Sequence, residues 1–366
     1  MQRPETLLNR LTTSVGGADA LACGLCAHRC TLRSGQTGRC GTIISQGGAL
    51  RSLADGRPVV LHADPIERKP LYHVLPDTRL LSLGTLGCTM TCDFCQNWRI
   101  AQAHPSAEGA IMPPEAVIAA ALARGCAGIA FTYNEPTVYL DYAAAIMTLA
   151  KQAGMITIFK TNGYLTREAL DALTFDQEAV RHPSPREGEG LGVRADLLLD
   201  AANVDLKSFD DRSYHKMCGA RLQPVLDSIE HLHRRGVWVE VTTLLIPGVN
   251  DGDGELRALA TWLASVNRDI PWHLWRFHPD YRMVEVAPTR LHDIERAMSI
   301  GRDAGLRYVY ASNAPGDSGQ HTYCPGCGAT LIERMGNATT AVQTESGRCT
   351  GCGWRLPGIF GVHEVT

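Results

Sequence analysis

The sequence predicts an α/β fold: a partial, open barrel of about six strand–helix units. A small Cys-rich N-terminal lobe (1–75) precedes it, and a C-terminal cysteine ribbon (320–361) follows. Three observations carry this reading. From residue 78, near-continuously apolar strands alternate with helices, a pattern that belongs to parallel sheets covered on both faces. A closed eight-unit barrel takes about 250 residues and eight strands, and fewer units can be counted here. Eleven of the thirteen cysteines fall into three tight groups, two of them outside the alternating region.

Residues 1–75 are Gly-rich and show little periodicity. The barrel region is expected over 76–315. Strands are predicted at 79–87, 128–133, 155–163, 202–209, 237–248, 271–278 and 307–312. Helices are predicted at 113–125, where prolines stand at the start, and at 138–154, closed by Gly154. Others follow from about Thr166 and over 223–236, 253–266 and 288–304. The segment 176–194 is rich in Pro, Gly and charge and has no apolar face, so it reads as a loosely ordered surface insert.

Composition bounds the function. The chain has 366 residues, 45% of them hydrophobic, and a net charge of −3, which argues against general binding to nucleic acid or anionic membranes. No secretory signal and no run of about 20 apolar residues is present, so a cytoplasmic protein without a membrane span is expected. An odd cysteine count with no export signal argues against a disulfide framework and for metal. Cys126 and Cys218 stand outside the groups. Cys126 reads as a small core residue. Cys218, in "KMCGA", reads as a thiol on a loop near the site, either a relay or a plain half-buried group.

The stretch "CTMTCDFCQNW" places Cys88, Cys92 and Cys95 at C-x3-C-x2-C spacing directly after the first barrel strand. Chemistry in α/β folds sits at the C-terminal ends of parallel strands. Three thiolates can hold three irons of a [4Fe–4S] cluster and leave the fourth open to S-adenosylmethionine (SAM), whose reductive cleavage yields a 5′-deoxyadenosyl radical. The alternative is a Cys3His zinc knuckle completed by His104.

"CTMTCDFCQNW" resembles the radical SAM signature, in which an aromatic residue precedes the third cysteine. "DPIERKPLYHVLP" (64–76), "FTYNEPTVY" (131–139), "NVDLKSF" (203–209), "LIPGVND" (245–251) and "WHLWRFHPDYRM" (272–283) resemble the AmmeMemoRadiSam-system radical SAM enzymes, relatives of the pyruvate formate-lyase activating enzymes. The resemblance implies a radical SAM barrel. It implies that Glu135 accepts from the SAM ammonium and that Asn162 reaches its methionine or ribose part. Phe94 would lie against adenine, and Asp205 and Lys207 would match an Asp-x-Lys motif. Period-two alternation puts Asp205 and Lys207 on one face of the fourth strand. His278, at the end of a late strand, is a candidate on the substrate side. Cys88, Cys92, Cys95, Lys207 and His278 form the expected catalytic set.

The C-terminal group Cys324, Cys327, Cys349 and Cys352 has C-x2-C-x21-C-x2-C spacing, with "CPGCG" and "CTGCG" as matched turns. It reads as a closed structural zinc ribbon, with a single iron as the rival metal. The N-terminal group Cys23, Cys26, Cys30 and Cys40, with His28 as a spare ligand, reads as zinc or a second iron–sulfur cluster. The function expected is hydrogen abstraction from an unidentified small-molecule or protein substrate. Two alternatives stand beside it: a glycyl-radical-enzyme activase and a non-catalytic iron–sulfur/zinc electron-transfer protein. Expected partners are a flavodoxin or ferredoxin donor and Memo-like and AMMECR-type proteins.

Overall fold

A computed structural model describes residues 6–16, 20–106, 110–174, 197–314, 316 and 318–361. The segment 176–194, read above as a surface insert, lies outside the described residues. Eight strands form the central sheet: β1 (Val60–Pro65), β2 (Arg79–Gly84), β3 (Gly128–Phe131), β4 (Ile156–Thr161), β5 (Ala201–Asp205), β6 (Trp238–Leu245), β7 (Trp272–Arg276) and β8 (Val309–Ala311). They are hydrogen-bonded in chain order. β2 to β8 run parallel, and β1 pairs antiparallel with β2, so the sheet is mixed. The parallel strands are apolar on both faces because both faces are covered: β3 is buried at every position.

The connecting helices follow from local sequence. α1 (Pro114–Leu122) has proline in its first turn, and α2 (Leu140–Gln152) follows a single 3-10 turn at Pro136–Tyr139. α3 (Arg167–Thr174), α5 (Gln223–Arg234), α6 (Asp253–Val266) and α7 (Leu291–Asp303) lie close to their expected positions. Among the described residues no helix is long and apolar enough to cross a membrane.

Three features differ from the sequence reading. β1 lies inside the segment read as a Cys-rich lobe. As an edge strand with partial burial it has no continuous apolar run to announce it. A helix, α4 (Asp211–Cys218), stands where a loop was expected. Its signals are short but present: Asp210 caps it by accepting from the Ser213 N–H, Tyr214, Met217 and Cys218 form one apolar stripe, and Gly219 (φ 63°) ends it in the left-handed conformation. Finally, β5 ends at Asp205, so Lys207 lies beyond the strand rather than on its face.

The N-terminal residues form a three-stranded antiparallel sheet (Thr12–Ser14, Ala20–Cys23, Thr31–Arg33) and a hairpin (Ile43–Gln46 with Ala49–Ser52). Gly47 and Gly48 supply the two positive φ angles, 62° and 76°, that a two-residue hairpin turn needs.

At the N-terminal ends of the parallel strands sits a buried polar network. Glu240 accepts from the backbone N–H of Tyr72 and His73 (3.0 and 2.9 Å), from Trp238 Nε1 (3.0 Å) and from His273 Nε2 (2.6 Å). The C-terminal unit docks here. The Arg334 guanidinium, 2% exposed, donates to the Tyr72 carbonyl at 2.8 Å and lies over the Tyr72 ring. Ile359 exchanges backbone hydrogen bonds with His73 and Leu75.

Candidate active site

The loop after β2 is held on every side. Asn134 accepts from the Thr85 N–H (3.0 Å) and donates to the Gly87 carbonyl (2.7 Å). The amides of Thr91 and Asp93 donate to the carbonyls of Cys218 and Met217 at the end of α4 (3.0 and 2.9 Å). The N–H groups of Met90 and Asn97 donate to the sulfurs of Cys88 and Cys95. The loop thereby places Cys88, Cys92 and Cys95 in the wall of one cavity of about 280 Å³ at the C-terminal ends of the parallel strands. Burial pushes the Cys88 thiol well above its ordinary pKa and the Cys95 thiol up to about 11. Cys92 is drawn the other way by a hydrogen bond from the Cys218 thiol, against burial and with help from Lys207.

Glu135, Asn162, Phe94, Asp205 and Lys207 line the same cavity. Glu135 follows β3 and is 2% exposed. Its Oε2 accepts from the Asn162 N–H at 2.8 Å, and Thr161 Oγ1 donates to the carboxylate at 2.9 Å. Its Oε1 accepts from Thr137 Oγ1 at 2.5 Å. Burial raises its pKa, and these donors oppose the rise. Asn162 Nδ2 donates to Thr89 Oγ1 (2.9 Å) and toward Cys88 Sγ (3.7 Å), which joins the end of β4 to the cysteine loop.

Asp205 is clamped by two ammonium groups. Lys207 Nζ donates to it at 3.0 Å, and Lys160 Nζ donates from the other side. Burial opposes the carboxylate charge, but the two lysines outweigh it and hold the Asp205 pKa below the ordinary range. Burial likewise works against the Lys207 ammonium, which Asp205 and the Cys92 sulfur keep well above its usual pKa. Lys207 also stands 5.8 Å from the Phe94 ring centre. Although Lys207 has left the strand, the loop after β5 returns its ammonium to Asp205.

Sequence reasoning missed Lys160, Lys69 and the role of Trp275. Lys160 sits two residues before Asn162 on β4, and period-two alternation could have found it. Lys69 lines the cavity and donates to Asp64 at 2.8 Å. Trp275, on β7, lines the cavity with its Nε1–H buried and without a hydrogen-bond partner. A buried orphan donor costs about 1–3 kcal/mol, which a polar group bound in the cavity would offset.

Other expected residues lie elsewhere. His278 is exposed and accepts from Gln96 Nε2 (2.8 Å) at the edge of the site. His104 lies against Gly41 in the N-terminal lobe. Cys218 is fully buried at the end of α4, not on an overhanging loop. His28 Nε2 donates to the Thr89 carbonyl (2.7 Å), which occupies that nitrogen.

The four C-terminal sulfurs all lie within 4.8 Å of one another, with Cys324–Cys352 at 3.5 Å and Cys327–Cys349 at 3.7 Å. A single tetrahedral ion with metal–sulfur bonds of about 2.3 Å needs sulfurs about 3.8 Å apart, so this quartet could hold one metal ion.

A three-cysteine loop at the C-terminal ends of a parallel sheet thus opens onto a cavity that also carries charged side chains. The family profile of the radical SAM superfamily matches residues 83–174. An uncharacterized protein of Methanocaldococcus jannaschii is 36% identical over 338 residues, covering 91% of this chain and 94% of that protein. The pyruvate formate-lyase-activating enzyme of Clostridium pasteurianum is 21% identical over 195 residues, 52% of this chain and 72% of that enzyme. Among solved structures, a radical SAM methyltransferase from Sphaerobacter thermophilus is 17% identical with a TM-score of 0.47, over 67% of this chain and 70% of that one. The chain belongs to the radical SAM superfamily and has the pyruvate formate-lyase activating enzymes among its relatives. The family implies a [4Fe–4S] cluster and SAM, and the residues fit both: Cys88, Cys92 and Cys95 line one cavity, and that cavity carries the buried, unpartnered Trp275 N–H.

Proposed function

We propose that the chain cleaves SAM reductively at a [4Fe–4S] cluster held by Cys88, Cys92 and Cys95, and that the resulting 5′-deoxyadenosyl radical abstracts hydrogen from a substrate bound in the same cavity. The observation that carries this is the convergence of the three sulfurs with Glu135, Asn162, Asp205 and Lys207 on one space. When bound, the cluster and SAM supply the one-electron cleavage of a C–S bond. The chain's own groups bind and orient. Glu135 supplies a buried carboxylate in the cavity wall, the charge that the SAM ammonium would meet. Asn162 ties the methionine end of the cavity to the cysteine loop, and Phe94 gives adenine an apolar wall. The Asp205–Lys207–Lys160 set holds fixed charge beside Cys92.

An outer cavity of about 630 Å³ shares Arg68, Gln96, Asn97 and Tyr133 with the inner one and supports substrate access from that side, where His278 stands near the rim. The finer architecture belongs to the same reading: a partial open barrel whose sheet begins with β1 at Val60, a Cys-rich lobe before that strand and a zinc ribbon over 320–361. A ferredoxin- or flavodoxin-type donor is the expected reductant. AmmeMemoRadiSam-type function implies Memo-like and AMMECR-type partners. A second reading, activation of a glycyl radical enzyme, is favoured by the likeness to an activating enzyme.

The deciding experiment is anaerobic incubation of reconstituted protein with SAM and dithionite. Release of 5′-deoxyadenosine is expected from the wild type and its loss from Cys92→Ala. Release from that variant would refute the reading. Deuterium transfer from a labelled small molecule, or a glycyl radical signal on a protein, then separates the two substrate classes.

A further inference from the structure

Four cysteines outside the SAM cavity converge on a second one. Cys23, Cys26, Cys30 and Cys40 line a small space of about 20 Å³ in the N-terminal lobe, with His28 and Thr89 in its wall. Gly38 keeps the backbone close to two of these sulfurs: a Cβ there would stand 3.6 Å from Cys40 Sγ and 3.9 Å from Cys30 Sγ. The N–H groups of Leu25 and His28 donate to the sulfurs of Cys23 and Cys26. Met90 and Asn97 serve Cys88 and Cys95 with the same two-residue offset. Such amide donors stabilise thiolate ligands.

Spacing decides what the four sulfurs can hold. Among the described residues, the C-terminal quartet is the one group of three or more metal-ligating side chains whose donor atoms all lie within 4.8 Å of one another. The N-terminal sulfurs share a cavity without closing to that distance, and in this they resemble Cys88, Cys92 and Cys95 rather than the C-terminal quartet. A polynuclear centre separates its ligands by the width of the cluster, and four cysteines complete a [4Fe–4S] set with no open position.

The two cysteine groups meet at one wall. Thr89, next to Cys88, accepts from His28 Nε2 through its carbonyl (2.7 Å) and from Asn162 Nδ2 through its hydroxyl (2.9 Å). The Cys40 carbonyl lies against Gly87, where a Cβ would meet that oxygen at 2.8 Å. Outside, residues 20–54 contain no Asp or Glu; Arg33, Arg39 and Arg51 are exposed, while the exposed Arg29 is paired with Glu168 at 3.0 Å. A basic surface of this kind steers an acidic partner.

We propose that Cys23, Cys26, Cys30 and Cys40 hold a second [4Fe–4S] cluster that takes electrons from an acidic one-electron carrier protein and passes them to the SAM site across the wall of His28, Thr89 and Gly87. The relay rests on the radical SAM reading; the metal site does not. The electrons balance. One electron from a reduced ferredoxin- or flavodoxin-class donor takes the second cluster from 2+ to 1+. The second cluster returns to 2+ as the first becomes 1+. The first then gives the electron to the SAM sulfonium, one C–S bond breaks, and methionine and the 5′-deoxyadenosyl radical are released with no proton moved.

The test starts from the full chain with Cys88, Cys92 and Cys95 all replaced by alanine. After anaerobic reconstitution it should keep about four irons with matching sulfide, against about eight in the wild type, and give the spectrum of a reduced cluster unaffected by SAM. Zinc without iron in that variant would overturn the proposal. Iron there, with no 5′-deoxyadenosine from the wild type, supports the second cluster and overturns the radical reading instead. For the relay, Cys30→Ser should lower SAM cleavage driven by reduced flavodoxin at least tenfold, and lower dithionite-driven cleavage far less. An unchanged flavodoxin-driven rate would overturn the relay. Should Cys30→Ser fail to fold, the charge-reversed pair Arg33→Glu/Arg39→Glu reads the same step: a raised KM for flavodoxin supports it, and an unchanged one counts against it.

Discussion

Glu135 is at once a structural acceptor and a wall of the cavity proposed to take SAM. Its oxygens gather the Thr137 hydroxyl, the Thr161 hydroxyl and the Asn162 N–H. Glu135→Ala therefore removes both the charge next to the cavity and the anchor of Asn162. A charge-assisted hydrogen bond is worth about 1.5–3 kcal/mol, so SAM affinity should fall tenfold or more while iron content stays at the wild-type level. Unchanged affinity in equilibrium binding would take Glu135 out of the site. Cys218 acts on the same loop from behind, because its thiol donates to the Cys92 sulfur. Hydrogen bonds to cluster sulfurs raise the reduction potential. Cys218→Ala should keep the cluster and make its midpoint more negative in an EPR-monitored redox titration; an equal or higher midpoint would show that the contact does not tune it.

At the scale of elements, the segment 64–76 is a buckle between the sheet and the C-terminal unit. The Tyr72 and His73 amides point into Glu240 on β6, and the Tyr72 carbonyl accepts from Arg334. Replacing the carboxylate strands two amides, an indole N–H and His273 in a dry interior. Glu240→Ala should lower stability by about 3–5 kcal/mol, seen as a fall in the urea midpoint. The site is at the other end of the strands, so SAM binding by the folded fraction should hardly change. A loss below about 1 kcal/mol would mean that water or a rearranged partner satisfies these groups. α4 is the other element with work at a distance, since its last turn holds the cysteine loop through two backbone hydrogen bonds.

Across the whole molecule, the C-terminal unit is docked rather than appended. Its apolar cluster is small, centred on Leu331, Ile332 and Leu356, too small to fold unaided. It is tied to the strand ends by Arg334 and Ile359. Cys349→Ser with Cys352→Ser should therefore abolish the proposed zinc binding and open 320–361 to protease. The main transition should also drop, by about 2–4 °C for each kcal/mol of docking lost, with the iron at Cys88, Cys92 and Cys95 retained. A protease-resistant, zinc-free double variant would show that metal does not hold this unit together.

The alternating apolar strands and the cysteine spacings were readable from the chain alone. Strand burial on both faces writes itself as a continuous apolar run, and metal ligation within one loop needs a fixed local spacing. Hence the order β2 to β8, the loop after β2 and the matched C-terminal turns were all legible, as were Glu135 and Asn162 at strand ends. Lys160, Lys69, Trp275 and the Cys218–Cys92 contact were not, because each acquires meaning from a partner far along the chain. β1 escaped because an edge strand lacks a two-sided apolar signature, and α4 because eight residues carry too little periodicity. The convergence of the N-terminal cysteines with Thr89 on one wall is of the same kind: spacing named the ligands, but only the folded chain, by placing that lobe against the cysteine loop, decided what they stand next to.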